Sequence, residues 1–209
     1  MPSQTKRLFF DEKVFLVDEN VYEPSEDSFL FAENLAVKAG QRVLEIGTGC
    51  GILAILAARQ ASNVVAVDVN PYAVRCAMEN AVHNDVRGKI DFIQGDLFSS
   101  INESPLFDLI LFNPPYLPVN TSEAVSWLSR SWAGGPTGGQ LIDRFISDVP
   151  KYLRKSGRVL LMQSTLAGVD ETMRVFLKYC LPAKVIAELS LPFFETLVLF
   201  EAKVEGTLH

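Results

Sequence analysis

Histidine is nearly absent from this 209-residue chain; His83 and His209 are the only two. That removes the usual basis for imidazole acid–base catalysis and for histidine-rich metal centres. Cysteine is sparse as well. Cys50, Cys76 and Cys180 lie far apart and lack zinc-ligand spacing, and an odd, thin set reads as reduced thiols, not a disulfide framework. No apolar run approaches the roughly 18 residues of a membrane-spanning helix, and Met1 to Phe10 lacks the apolar stretch of a signal peptide. A cytoplasmic protein is therefore expected, with no membrane partner. Basic residues are outnumbered, 19 Lys and Arg against 25 Asp and Glu, for a net charge of -6. Such a balance argues against unaided, non-specific nucleic-acid binding, which needs a basic footprint. Repeats, low-complexity tracts and linkers are also missing. What remains is 48% hydrophobic, enough for one structural domain with a full core: an amino-terminal extension and helix over residues 1–40 packed on a main domain of residues 41–209.

Strands and helices alternate along that main domain. Arg42 to Ile46, Val64 to Val67, Ile90 to Gln94, Leu109 to Phe112 and Arg158 to Met162 read as short buried strands. Between them, Ile52 to Arg59 reads as a buried helix, and Asn70 caps a helix that has Pro71 at its first position and Val74, Ala77, Met78 and Ala81 on its apolar face. Leu141 to Leu153 is predicted helical with an interruption at Pro150, and Val169 to Tyr179 is another helix. Upstream, Val14 to Val17 reads as a small strand, and Ser25 caps a helix to about Lys38 that Gly40 ends. Alternation implies a mostly parallel sheet with helices on both faces. The last two strands, Lys184 to Leu189 and Thr196 to Glu201, have too few residues between them for a parallel crossover, so they form an antiparallel hairpin.

Four strand ends carry the chemistry. Glu45-Ile46-Gly47-Thr48-Gly49-Cys50-Gly51 follows the first parallel strand, where glycines let backbone approach a ligand at a helix start. Asp68 ends the second, about 17 residues after Gly51, and can accept from ribose hydroxyls or cap the helix at Asn70. Asp96 and Leu97 follow the third, where an acid can accept from an adenine amine and leucine can pack on the ring. Asn113-Pro114-Pro115-Tyr116 ends the fourth; two consecutive prolines cannot donate to a ladder, so the strand stops there. An amide or exocyclic amine nitrogen has a delocalised lone pair and attacks poorly. It needs acceptors on its N–H groups, which the Asn113 side-chain oxygen and the Pro114 carbonyl can supply, and a flat surface, which the Tyr116 ring can supply.

The tetrapeptide resembles the active-site motif of methyltransferases that modify planar nitrogens. Taken in order, Glu45, Asp68, Asp96 and the tetrapeptide resemble the pattern of S-adenosylmethionine enzymes with the class I methyltransferase fold. That resemblance implies a seven-stranded sheet of order 3-2-1-4-5-7-6, not counting any amino-terminal strand. Tyr22-Glu23-Pro24-Ser25-Glu26-Asp27-Ser28-Phe29-Leu30 before the core, and Trp132-Ala133-Gly134-Gly135 with Gly138 and Asp143-Arg144-Phe145 after the tetrapeptide, narrow it further. Together they resemble the HemK-type protein glutamine N5-methyltransferases, in their short archaeal and eukaryotic branch. The resemblance runs from about Val21 to Glu201. It implies catalytic roles for Asn113, Pro114 and Tyr116. It implies S-adenosylmethionine held by Glu45, Gly47, Thr48 and Gly49, by Asp68 and Val69, and by Asp96, Leu97 and Asn113, with Tyr22, Pro24 and Ser28 closing over it. The implied substrate is the glutamine of the Gly-Gly-Gln loop of a translation termination factor. A small zinc-binding activator is a further implied partner, and the Ile90–Gln94 strand, expected at the sheet edge, is its expected dock.

Some readings stay open at this point. An adenine-N6 or RNA amine methyltransferase shares the tetrapeptide, a protein lysine methyltransferase is a third possibility, and an S-adenosylmethionine-binding subunit without activity is a fourth. Pro118 to Gly139 has little helix or strand pattern and is assigned to substrate entry. Within it Trp132 is either a core anchor or a substrate contact. Gly138-Gly139-Gln140 repeats the tripeptide such an enzyme would modify, read as coincidence rather than self-modification.

Overall fold

Short runs of β-branched and leucine residues set the sheet. Their side chains alternate between two apolar layers, so the central strands of the sheet are buried on both faces. The structure, a computed structural model, describes residues 5–104, 106–119 and 126–204; His209 and the 120–125 part of the expected entry loop lie outside them.

The first parallel strand is β3 (Arg42–Ile46), followed by α2 (Ile52–Ala57), β4 (Asn63–Asp68), α3 (Pro71–His83), β5 (Ile90–Gln94) and β6 (Phe107–Phe112). After the one-turn helix α4 (Trp127–Arg130) come α5 (Gln140–Tyr152), β7 (Leu153–Ser164), α6 (Val169–Lys178), β8 (Ala183–Ser190) and β9 (Thr196–Lys203). The seven strands lie in the order β5-β4-β3-β6-β7-β9-β8. Counted from β3, that is the expected 3-2-1-4-5-7-6. Strands β3 to β7 are parallel, and β9 is antiparallel to both β7 and β8. One core layer centres on Leu53, Ile55, Leu109, Leu160 and Leu199, the other on Ile110, Phe112, Phe145, Ile146 and Phe200.

Local chemistry places the helices. Asn70 caps α3 by accepting from the Tyr72 N–H at 2.9 Å, with Pro71 at the first position. Gly51, at φ 88°, starts α2; a Cβ there would come within 2.9 Å of the Ala77 Cβ, so the residue serves both the turn and the close approach of α2 to α3. The buried face of α3 is Ala73, Cys76, Ala77, Asn80 and Ala81, a rotation away from the expected Val74 and Met78. The reason is Asn80. Its buried amide accepts from the Leu16 N–H and donates to the Leu16 and Cys50 carbonyls, each at 2.8 Å, and so clamps the amino-terminal segment to α3.

That segment is more ordered than the sequence suggested. β1 (Lys6–Phe10) and β2 (Lys13–Val17) form a separate antiparallel hairpin through Asp11 and Glu12, both at positive φ. α1 (Glu26–Glu33) packs on α2 and on β7, β8 and β9. It ends well before Lys38, because the Asn34 side chain takes the Leu30 carbonyl at 2.8 Å. Pro150 does not interrupt α5. It falls in the last turn, where only Lys151 and Tyr152 follow and Val149 and Tyr152 are anchored in the core.

Candidate active site

The carboxyl ends of β3, β4, β5 and β6 converge at one side of the sheet, the place where an open α/β sheet offers exposed loops. The loop after β3 is tied down from below: the Gly47 and Thr48 N–H groups both donate to the Val67 carbonyl, at 2.8 and 3.1 Å. Asp68 braces it from the side. One carboxylate oxygen accepts from the Gly49 N–H at 2.9 Å and the other from the Asn70 N–H at 2.9 Å. The two sequence readings of Asp68 are thus compatible, since the same carboxylate starts α3 and faces the cavity. Glu45 is buried and accepts from the Thr48 hydroxyl at 2.6 Å. Burial, against that hydrogen bond and with the nearby Asp68 charge adding, pushes its carboxyl up to about 8. Burial also raises Asp68, opposed by the amides of Gly49, Asn70 and Val69. Two crowded acids favour a guest that is cationic and rich in N–H and O–H donors.

These groups line one cavity of about 410 Å³. Every residue expected at the cofactor is on its wall: Tyr22, Pro24 and Ser28; Glu45, Gly47, Thr48 and Gly49; Asp68 and Val69; Asp96 and Leu97; and Asn113. Val69 and Leu97 give it apolar surface. Asp96 is half-exposed and holds Arg144 at 2.8 Å, which gives the Asp143-Arg144-Phe145 segment a role its sequence did not reveal. An exposed pair of this kind contributes about 0–1 kcal/mol. Phe145 packs beneath, 4.4 Å between ring centroids from Phe112.

A smaller pocket of about 140 Å³ adjoins the first. It shares Tyr22, Asn113, Pro115 and Ser131 and adds Asp27, Pro114, Tyr116, Leu117 and Trp132. Asn113 stands on the common wall. Trp132 lines this pocket with 36% of its surface exposed, so it is not a core anchor. The Trp132–Gly135 strip runs beside Leu117 to Val119 through three backbone hydrogen bonds of 2.9–3.1 Å. Gly138, at φ 75°, closes it; a Cβ there would lie 2.3 Å from the Tyr116 carbonyl oxygen. Gly138-Gly139-Gln140 is therefore a packing turn followed by the first residue of α5, and Gln140 lines neither pocket.

The residue that sequence reasoning missed is Asp27. It lies in the first turn of α1, where an acid suits the helix dipole, but it is 95% buried and hydrogen-bonds both tyrosines of the site. One of its oxygens accepts from Tyr22 Oη at 3.0 Å and the Ser28 N–H at 2.6 Å; the other accepts from Asn113 Nδ2 at 3.1 Å and Tyr116 Oη at 3.4 Å. Burial and the Asp27 charge raise both tyrosines' titration well above the ordinary phenol range, so both stay protonated donors. With Nδ2 committed to Asp27, the Asn113 amide is fixed in one orientation. Its Oδ1 is buried and has no hydrogen-bond partner among the described residues. A buried acceptor without a donor is costly unless a ligand meets it. The available signal was the Pro24-Ser25-Glu26-Asp27-Ser28 segment itself.

Residues 20–127 match the methyltransferase small domain family. A Methanocaldococcus jannaschii protein, provisionally named a protein N5-glutamine methyltransferase, is 43% identical over 86% of this chain and 90% of its own length. The chain belongs to the HemK-type protein N5-glutamine methyltransferases. Family membership makes it an S-adenosylmethionine-dependent methyltransferase, and the cavity suits that donor: acids for a cationic amino-acid end and ribose, apolar walls for a purine. Human methyltransferase HEMK2, another relative in this family, is 31% identical over 75% of the chain and 77% of its own length. Among solved structures, the E. cuniculi Mtq2–Trm112 complex, responsible for methylation of the eRF1 termination factor, has a chain sharing this fold: TM-score 0.68 at 21% identity, covering 88% of this chain and 98% of that one.

Proposed function

We propose that this chain methylates the side-chain amide nitrogen of the glutamine in the Gly-Gly-Gln loop of a translation termination factor. The observation that carries the reading is the unpartnered Asn113 Oδ1 on the wall between the two pockets. A primary amide entering the smaller pocket offers two N–H groups, one for Asn113 Oδ1 and one for the Pro114 carbonyl. Holding both localises the nitrogen lone pair and aims it toward the larger cavity. Asp27 holds Asn113 in the accepting orientation, and the Tyr116 ring gives the planar amide a face to pack on. Glu45 and the Gly47-Thr48-Gly49 loop would hold the donor's amino-acid end, Asp68 its ribose, and Val69, Asp96 and Leu97 its adenine. Tyr22, Pro24 and Ser28 would close over it. Bound S-adenosylmethionine supplies the electrophilic methyl group. Transfer would break the donor's methyl–sulfur bond and leave a neutral thioether, while the substrate amide would lose one proton to solvent. The relative named for glutamine methylation, and the structural neighbour described as methylating a termination factor, support this substrate class. Mass spectrometry of a termination factor after incubation with enzyme and donor should place a single added methyl on the loop glutamine. Methylation of DNA or RNA oligonucleotides with none on the factor would overturn the reading.

A small zinc-binding activator pairing with β5 is the second part of the proposal. β5 is the outermost strand on its side, and the β1–β2 hairpin, which could have covered it, forms its own sheet against α3. An open edge with half-buried Phe92 and Ile93 invites strand addition. Ile90 is wholly buried, so a charge there would unfold the strand; Phe92→Glu is the cleaner change. Co-elution with the activator should be lost in that variant while its melting temperature stays within a few degrees. A lone wild-type chain that is monomeric and fully active, together with unchanged co-elution of the variant, would overturn this part.

A further inference from the structure

The turn between β8 and β9, Leu191-Pro192-Phe193-Phe194-Glu195, is closed by the Leu191 N–H donating to the Glu195 carbonyl at 2.8 Å. Phe193 and Phe194 both sit at positive φ, 63° and 65°, a region that non-glycine residues seldom occupy. Their side chains are 95% and 103% exposed. Two large rings are thus held outward at the tip of a strained turn and return nothing to the core.

The tip lies at the same end of the sheet as the smaller pocket. β6 and β7 run parallel and end at Phe112 and Ser164; β9 runs back antiparallel, with Leu197 opposite Ser164, so the turn lies at the same end of the sheet as Asn113. The Thr196 N–H donates to the Thr165 hydroxyl at 3.0 Å, which fixes the turn there. α1, which carries Asp27 and Ser28, packs on β8 and β9. Leu191 and Tyr116 pack on the same core layer, and the Glu195 charge is felt at the Tyr116 phenol.

Resting on the reading above that the substrate is a protein, we propose that Phe193 and Phe194 dock an apolar patch on the folded body of that protein beside its glutamine loop. A pocket of about 140 Å³ admits one side-chain amide and leaves the rest of a protein partner outside it. Exposed aromatic side chains, phenylalanine among them, are enriched at protein–protein interfaces. The net charge of -6 opposes the other natural partners of exposed aromatics, an anionic membrane or a nucleic acid. The proposed activator edge, β5, is at the far side of the sheet from β8 and does not compete.

The test is the double variant Phe193→Gly/Phe194→Gly. Glycine accepts positive φ, so the turn is kept while both rings go. Donor affinity by calorimetry should match wild type. On the folded termination factor, KM should rise about tenfold or more with kcat nearly constant, and kcat/KM on a short peptide spanning the glutamine loop should not change. An unchanged KM on the folded factor would overturn the docking role, as would an equal loss on factor and peptide. Vesicles of anionic lipid that bind the wild type and release the variant would assign the rings to a membrane instead. A wild-type enzyme that methylates another protein but no termination factor, with the same KM increase on that protein, would sink the substrate reading and leave the docking role standing.

Discussion

Asn113→Ala is expected to lower turnover by about 10² or more, the usual loss when one donor or acceptor aimed at developing charge is removed. Donor affinity should move little, because Asn113 stands on the border with the smaller pocket while Glu45, Asp68, Asp96 and the glycine loop line the larger cavity. The two effects separate cleanly: single-turnover kinetics reads the first and calorimetry the second. Asn113→Asp sharpens the test. Its carboxylate would face Asp27 across the 3.1 Å that the amide N–H now spans, so one of the two must take a proton or turn away. Near-normal single-turnover rates in either variant would remove Asn113 from the chemistry and leave its buried, unpartnered oxygen without a purpose.

The parallel core was legible because each of its signals is local. β3 and β5 fall at the residues where their apolar runs begin and end, and Asn70-Pro71 marks the start of α3 to the residue. The final hairpin followed from loop length alone. What the sequence hid depends on partners far along the chain. β1 has exposed residues on both faces and no turn glycine, so nothing in its own pattern reports that it pairs with β2. The face of α3 is set by Asn80 reaching Leu16, 64 positions away. Arg144 finds Asp96 across 48 residues. Glu45, the glycine loop, Asp68, Asp96 and Asn113 were legible because each sits at or just after a strand end, whereas Tyr22, Pro24 and Ser28 came only from the family resemblance. Asp27 was not, because its meaning lies in contact with Asn113, 86 positions later, and at that distance an acid in a first helical turn looks like any other.

The second large effect is expected at Asp27. Asp27→Asn keeps the shape but replaces a charged acceptor by a neutral amide, and a hydrogen bond to a charged group is worth about 1.5–3 kcal/mol. If that energy holds Asn113 in its accepting orientation, turnover should fall about 10- to 100-fold. A turned Asn113 amide would present an N–H to an incoming N–H. Asp27→Ala goes further: it strips the acceptor from Tyr22, Tyr116 and the Asn113 amide together, and each buried donor so orphaned costs about 1–3 kcal/mol, so the melting temperature should drop as well. A loss of fold and a loss of positioning are told apart by a double-mutant cycle. If Asp27 acts through Asn113, then Asp27→Asn added to Asn113→Ala should slow the enzyme little beyond Asn113→Ala alone. Were the two losses to multiply in full, Asp27 would be acting on the reaction by some route other than the amide it holds. Were Asp27→Asn to turn over normally, the orientation of Asn113 would have to come from Ser28, whose hydroxyl accepts from the same Nδ2 at 3.4 Å, a distance too long to fix it alone.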